Sequence, residues 1–170
     1  MFNPSTKAIL DLANSLKALK AFKGLLSFPD PLFDITVGLM LGDLSAVKRN
    51  PNSMAVCFPF FDQLYLLFYD PIFRKKIVPE NIGNLLTPLG LSYWFSDDGA
   101  NAGYGLLLHT DGFSKEDVIL LISVLDSKFG LRCSLYQRHK GQYAIYISAH
   151  SKERFIGLIY TFLHPSMKYK

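Results

Sequence analysis

Two acidic residues end two short stretches of similar composition. Asp43 closes the run Thr36-Val-Gly-Leu-Met-Leu-Gly-Asp43, and Asp98 closes the run Leu91-Ser-Tyr-Trp-Phe-Ser-Asp-Asp98. Each run is about two turns of an apolar helix with small residues in it, so two such helices can pack at close approach. A carboxylate is disfavoured at the C-terminal end of a helix, and two carboxylates held together repel unless a cation lies between them. Hard oxygen ligands of this kind favour Mg²⁺ or Ca²⁺ over zinc.

Composition and charge limit the class of protein. The 170 residues are 49% hydrophobic and 14% aromatic, enough for one compact core. A net charge of +4 is a modest basic excess that suits a polyanionic partner. Cys57 and Cys133 lie far apart, so their spacing indicates neither a metal site nor a disulfide framework. No apolar run approaches the ~18 residues of a membrane span, and no membrane partner is expected.

Helices and strands are predicted on both sides of the two acid-terminated stretches. Further helices are predicted over 5–27, 62–69, 114–129 and 151–163, and strands over 44–48, 54–58, 105–110, 131–138 and 142–148. Residues 75–79 are predicted as an extended linker, and Pro88 suits the first turn of the second acid-terminated helix. The amphipathic segment 5–27 is either a docking helix for a nucleic acid or protein partner or a plain packing helix.

The two acid-terminated stretches resemble the paired motifs of the LAGLIDADG homing endonucleases. GLMLGD matches the first motif, and LSYWFSDDG matches the second more specifically. The resemblance covers roughly residues 33–170 and implies an α+β fold of two pseudo-twofold αββαββα repeats. In that fold the motif helices meet at the centre and antiparallel sheets form a saddle for DNA. We expect an N-terminal extension over 1–32, a truncated first repeat over 33–87 and a complete second repeat over 88–170.

The resemblance also implies roles for individual residues. Asp43 and Asp98 are expected to bind divalent metal and to cut one strand each, with Asp97 as an outer neighbour and Mg²⁺ as the cofactor of an active enzyme. A basic residue is expected beside each scissile phosphate. The segments 62–69 and 153–160 are similar to each other, and each is followed by proline and then lysines, which places Lys76 and Lys170 at matching positions.

Strand alternation predicts a surface for nucleic acid. Along 131–138 the basic, aromatic and polar residues share one face, and residues 142, 144, 146 and 148 share one face of the return strand. A half-exposed antiparallel sheet with no nucleic-acid partner would show the same alternation. The predicted nucleic-acid contacts are Lys48, Arg49, Arg132, Ser134, Tyr136, Arg138, Lys140, Gln142 and Tyr146.

The length of the first half departs from the family pattern. The stretch from Asp43 to Lys76 is less than half as long as the stretch from Asp98 to Lys170, whereas the family's halves normally match. Each lost base contact costs about 1–3 kcal/mol, so a reduced half would weaken recognition of a long duplex. RNA recognition depends more on shape, backbone and unpaired bases.

Two functions remain open at this point. We favour an inactive derivative that binds RNA as an organellar ribosome component or an intron maturase. The resemblance implies an organelle, with the mitochondrion preferred and the chloroplast as the alternative. The segment 5–27 would then contact ribosomal or other ribonucleoprotein partners. The alternative is an active Mg²⁺-dependent, site-specific DNA endonuclease that cuts both strands, and the retention of both acids favours this alternative.

Overall fold

A computed structural model describes residues 30–45, 59–139 and 141–167 of the chain. Several predictions fall outside these ranges. They are the helix over 5–27, most of the strand over 44–48, the strand over 54–58, and the site residues Lys48, Arg49, Lys140 and Lys170.

In the described chain four helices come before the first strand, and each of two strand pairs is then followed by a helix. The helices are α1 (Asp30–Leu41), α2 (Pro59–Phe68), α3 (Ile82–Leu85), α4 (Pro88–Asp98), α5 (Lys115–Phe129) and α6 (Ala149–Ile159), followed by a 3₁₀ turn, Pro165–Met167. The strands are β1 (Gly99–Ala102), β2 (Gly105–His109), β3 (Cys133–His139) and β4 (Gln142–Ile147). This is the α+β arrangement that the sequence predicted. No helix within the described ranges is both long enough and apolar enough to span a membrane.

The four strands form one antiparallel sheet in the order β1-β2-β4-β3. One face packs against α5 and α6 and contributes Leu106, Leu108, Ile145 and Ile147 to the core. We call the opposite face the open sheet face. It includes Ser134, Tyr136 and Arg138 of β3, which are all exposed, together with Arg132 just before the strand. The alternation predicted for this strand is therefore confirmed.

Helices α1 and α4 pack against each other where glycines allow their backbones to meet. A Cβ atom on Gly38 would lie 1.9 Å from the carbonyl oxygen of Gly90, and a Cβ on Gly90 would lie 2.8 Å from that of Asp34. Thr87 caps the start of α4, because its hydroxyl accepts from Gly90 N at 3.2 Å and donates to Asp34 Oδ2 at 2.8 Å. The close approach predicted for the two motif helices is confirmed, as is the place of Pro88 in the first turn of α4.

The structure differs from the sequence-based elements in three places. β1 was not predicted, because Gly-Ala-Asn-Ala has no β-branched or aromatic residue, and it forms by pairing with β2. The last helix begins and ends earlier than predicted, at Ala149 and Ile159. Residues 75–79 are not a simple linker, since Lys76 pairs with Tyr69 in an antiparallel bridge and Ile77 N donates to Phe68 O at 2.9 Å.

This bridge changes how the two halves of the chain correspond. The short hairpin over 69–76 follows α2 as the hairpin of β3 and β4 follows α5. In element order α2 therefore corresponds to α5, whereas the sequence similarity paired it with the segment that forms α6. Lys76 consequently lies at the place of β4, and the element order does not support its pairing with Lys170.

Candidate functional site

The ends of α1 and α4 meet at a cleft of about 240 Å³. Asp98 is the last residue of α4, and Asp43 lies in the turn just beyond α1. Asp43 is exposed and Asp98 is half-buried. Both line the cleft, together with Lys76, with the last residue of β2, His109, and with the residues that follow it, Thr110, Asp111, Gly112 and Phe113. Three residues that the resemblance implied to be catalytic are thus brought into one site.

Asp97 joins the two motif ends to each other. The backbone N–H of Asp43 donates to Asp97 Oδ2 at 2.8 Å, a charge-assisted hydrogen bond between residues that are far apart in sequence. Gly42 makes this approach possible, because a Cβ on it would lie 2.3 Å from the same carboxylate oxygen. Asp97 therefore holds the turn that contains Asp43, which is a more specific place than that of an outer neighbour.

Lys76 is the cation of this cleft. Its amino group donates to the carbonyl oxygen of Gly42 at the end of α1 and lies 5.4 Å from the ring centroid of Phe113. Burial lowers the pKa of Lys76 from its ordinary value, and the carboxylates of Asp98, Asp43 and Asp97 oppose that shift. Because Lys76 is in the bridge with Tyr69, the backbone fixes where the amino group can reach.

The donor set of the cleft fits a hard divalent cation. Of the carboxylates that line it, two come from the helix ends, and the negative ends of the two helix dipoles add to their field. Within the part of the chain that the structure describes, no three His, Cys, Asp or Glu side chains form a complete metal site. Mg²⁺ is commonly held by one or two carboxylates, with water and substrate phosphates as its other ligands. Asp43 and Asp98 could therefore hold Mg²⁺ together with a bound phosphate.

A charged cluster connects the cleft to the exposed face of the sheet. Arg138 Nη1 donates to Asp111 Oδ2 at 2.7 Å and lies 3.1 Å from His109 Nδ1. A guanidinium has only donors, so His109 Nδ1 is the acceptor and the ring proton is assigned to Nε2. Arg138, predicted to contact nucleic acid, is thus held by two residues of the cleft lining.

The remaining predicted contacts on β4 differ in exposure. Gln142 is exposed, whereas Tyr146 is half-buried. A Cβ on Gly105 would lie 2.5 Å from the Tyr146 hydroxyl, so the ring occupies space that the glycine leaves open across the strands. Tyr136 is 49% exposed and pairs across the strands with the small, buried Ala144, which leaves the ring uncovered. Of the tyrosines on this face of β3 and β4, Tyr136 is the more accessible one.

Sequence reasoning did not identify His109, Asp111 or Phe113 as parts of the site. Strand alternation could have indicated His109. In β2 it lies on the same face as Leu107, opposite to the face of the buried Leu106 and Leu108. No comparable signal existed for Asp111 and Phe113. They reach the cleft through the turn after β2, where Phe113 N donates to Thr110 O at 3.0 Å.

Comparison with known proteins identifies relatives of this chain. The model of the LAGLIDADG DNA endonuclease family matches residues 54–155, more than half of the chain. "Probable intron-encoded endonuclease 1" of Wickerhamomyces canadensis is 40% identical over 118 residues, which are 65% of this chain and 50% of that protein. "Cytochrome b mRNA maturase bI2" of Debaryomyces hansenii is 33% identical over 111 residues, 65% of this chain and 42% of that protein. The chain thus spans about half the length of these relatives or less.

A solved structure has the same fold. It is the homing endonuclease I-WcaI bound to its DNA recognition sequence, with a TM-score of 0.78 and 25% sequence identity. The match covers 99% of this chain and 94% of that chain. Together, the family match and the shared fold confirm the resemblance on which the sequence analysis relied: this chain belongs to the LAGLIDADG DNA endonuclease family.

Proposed function

We propose that the chain is a Mg²⁺-dependent endonuclease that binds a specific DNA duplex and cuts both of its strands at the cleft between α1 and α4. The observation that supports this most is the convergence of Asp43, Asp98 and Lys76 in one cleft, although they come from three separate elements. A protein that only binds RNA has no need for two carboxylates at adjoining helix ends, since they repel a phosphate backbone unless a cation accompanies them.

In this proposal each side chain has a defined task. Asp43 and Asp98 hold the divalent ion, which, when bound, lowers the pKa of a water nucleophile and stabilises the leaving oxygen. Lys76 exchanges its bond to the Gly42 carbonyl for a phosphate oxygen and stabilises the charge that develops there. Asp97 and Gly42 keep the turn of Asp43 in place, so that the two acids stay at a fixed separation.

The length of the first half favoured RNA in the sequence analysis. I-WcaI is bound to its DNA recognition sequence, and the match spans nearly all of both chains. A chain of this extent is therefore compatible with binding a duplex, which weakens the argument from length and supports the endonuclease. The extent of the first repeat itself stays a prediction, because residues 46–58 lie outside the described part of the chain.

A plasmid library with a randomised insert tests the proposal. With Mg²⁺, the purified chain should linearise plasmids that share one insert sequence, and EDTA or Asp98→Asn should prevent this while gel-shift binding persists. Asp126→Asn is the matched control, since Asp126 also lies near the end of a helix, α5, but does not line the cleft. Absence of linear product from the wild-type chain with Mg²⁺ would contradict the proposal.

An RNA-binding maturase is the second candidate, because one relative is a cytochrome b mRNA maturase. The exposed ring of Tyr136 on the open sheet face is suited to stacking on an unpaired base. Sequencing of the nucleic acid that copurifies with the chain separates the two functions, since the maturase would retain a defined intron RNA. A mitochondrial location fits both candidates. A ribosomal role, and contacts through the segment 5–27, stay predictions.

A further inference from the structure

The turn between α2 and Lys76 presents two large apolar side chains to solvent. Ile72 is 79% exposed and Phe73 is 81% exposed, and neither lines the cleft. Adjacent exposed apolar side chains form a contiguous patch, and such patches are candidate interaction surfaces.

Four hydrogen bonds to Asp70 stabilise this turn. The Asp70 carboxylate accepts from Ile72 N at 2.8 Å and from Phe73 N at 2.6 Å. Its backbone carbonyl accepts from Arg74 N at 2.9 Å, and its own N–H donates to Lys75 O at 2.8 Å. These local hydrogen bonds restrict the backbone of the apolar tip, which lowers the loop entropy that binding would cost.

Two cations follow the apolar pair directly. Arg74 and Lys75 are both exposed. Arg74 has φ 53°, a left-handed conformation that glycine or asparagine would adopt at lower cost. Apolar side chains next to cations are the chemistry of a surface that meets bases and phosphates together.

The position of the turn brings it close to the cleft. Lys76, the next residue, lines the cleft and closes the hairpin by its bridge with Tyr69. In element order this hairpin corresponds to β3 and β4, which form much of the open sheet face of the second half. The tip is thus separated along the chain from a cleft-lining residue by only two residues, Arg74 and Lys75.

We propose that the turn over residues 70–75 is a wedge that contacts duplex DNA beside the cleft. Ile72 and Phe73 insert at a base step and partly unstack it, while Arg74 and Lys75 bind the flanking phosphates. Through the wedge, the first half contacts the duplex without needing a long strand. This inference rests on the proposed function, because it assumes that a duplex occupies the cleft.

The test uses duplexes that the wild-type full chain retains from a random-sequence library. Replacing both tip residues (Ile72→Ser with Phe73→Ser) should weaken binding by about tenfold or more. 2-Aminopurine placed along the same duplex should brighten at one step with the wild-type chain and stay dim with the double variant. Ile119→Ser is the matched control, an apolar residue 50% exposed on α5, and should bind as the wild type does.

The possible failures are distinguishable. If the wild-type chain retains a duplex and the double variant binds it equally well, with the same fluorescence, the wedge is wrong and the proposed function stands. A wild-type chain that retains no duplex overturns both. If the double variant instead abolishes a self-association that sedimentation detects, the tip is a protein contact and the wedge is overturned.

Discussion

At the scale of single residues, the role proposed for Lys76 conflicts with the stability of the fold. Burial disfavours its charged amino group, and the nearby carboxylates compensate only in part, so the pKa of Lys76 is lowered. Between that lowered pKa and the ordinary value of 10.5, the unfolded chain binds more protons than the folded chain. The charged lysine therefore opposes folding at neutral pH, and this opposition disappears as the pH rises through that window.

Lys76→Met should accordingly raise the free energy of unfolding at pH 7 while it reduces cleavage. The gain in stability should shrink as the pH approaches 10.5, because the unfolded wild-type lysine then loses its proton as well. Urea denaturation at a series of pH values measures this. Lys128→Met is the control, since Lys128 also donates to a carbonyl, Gly83 O at 2.6 Å, but in an exposed place. A Lys76→Met chain that is less stable at pH 7 would contradict the explanation.

Residues that a motif marked were named from the sequence, whereas contacts that only folding creates were not. Asp43, Asp98 and Lys76 were named from the sequence, and all three line the cleft. The hydrogen bond from Asp43 to Asp97 and the ion pair of Arg138 with Asp111 were not foreseen. Both join residues on different elements, and no local pattern encodes their approach.

At the scale of elements, the contact between α1 and α4 determines whether the site exists. The two helices approach until backbone meets backbone, and this approach sets the distance between the acids at their ends. The sequence showed the small residues that permit this packing. It also showed the start of α5, where Ser114 and Asp117 form a capping box. It did not show β1, which depends on its partner strand.

Gly38→Ala should push these helices apart. Its Cβ would lie 1.9 Å from the Gly90 carbonyl oxygen, and overpacking of this kind costs about 1–3 kcal/mol of stability or more. Cleavage should fall with it, because the acids separate. Urea denaturation and the plasmid assay measure the two effects.

Gly157→Ala is the matched control for this change. Gly157 lies in α6 with nothing within 4 Å of an added Cβ, so alanine there should stabilise by about 0.5–1 kcal/mol through its better helix propensity. If both alanine variants have wild-type stability and cleave normally, the close packing of α1 and α4 does not matter as described.

At the scale of the whole molecule, the open sheet face and the cleft form one continuous surface with mixed charge. Arg138 could neutralise a phosphate, but Asp111 already holds it at 2.7 Å. An arginine that is already paired with an acid contributes less to the affinity for any polyanion. Selectivity then depends on the contacts to the bases.

Asp111→Asn should release Arg138 and tighten binding to a duplex of arbitrary sequence. One more neutralised phosphate steepens the slope of log Kd against log salt by about 0.9. Fluorescence anisotropy over a salt series measures the slope. Glu153→Gln on α6 removes the same charge from the side of the molecule away from the open sheet face, and should change it far less. Equal salt slopes for Asp111→Asn and Glu153→Gln would show that binding depends on net charge alone, which would contradict the release of Arg138.

Among the features of the whole molecule, too, some were predicted from the sequence and others were not. That residues 88–170 form a complete repeat stays a prediction, whereas the α+β fold and the central motif helices followed from the two motifs and from strand alternation. The correspondence of the halves did not, because the similarity between the segments 62–69 and 153–160 reflects two amphipathic helices rather than equivalent positions. The inference toward RNA depended on that reading of the first half.

Strand-resolved cleavage tests the central claim, that Asp43 and Asp98 act together in one metal-dependent cleft. A duplex chosen by the wild-type chain is labelled on each strand in turn and cut in a single turnover with Mg²⁺. Asp43→Asn and Asp98→Asn should each slow at least one strand by about a hundredfold, since a lost metal ligand removes several kcal/mol of transition-state stabilisation, with binding retained. Wild-type rates on both strands for either variant would contradict the claim.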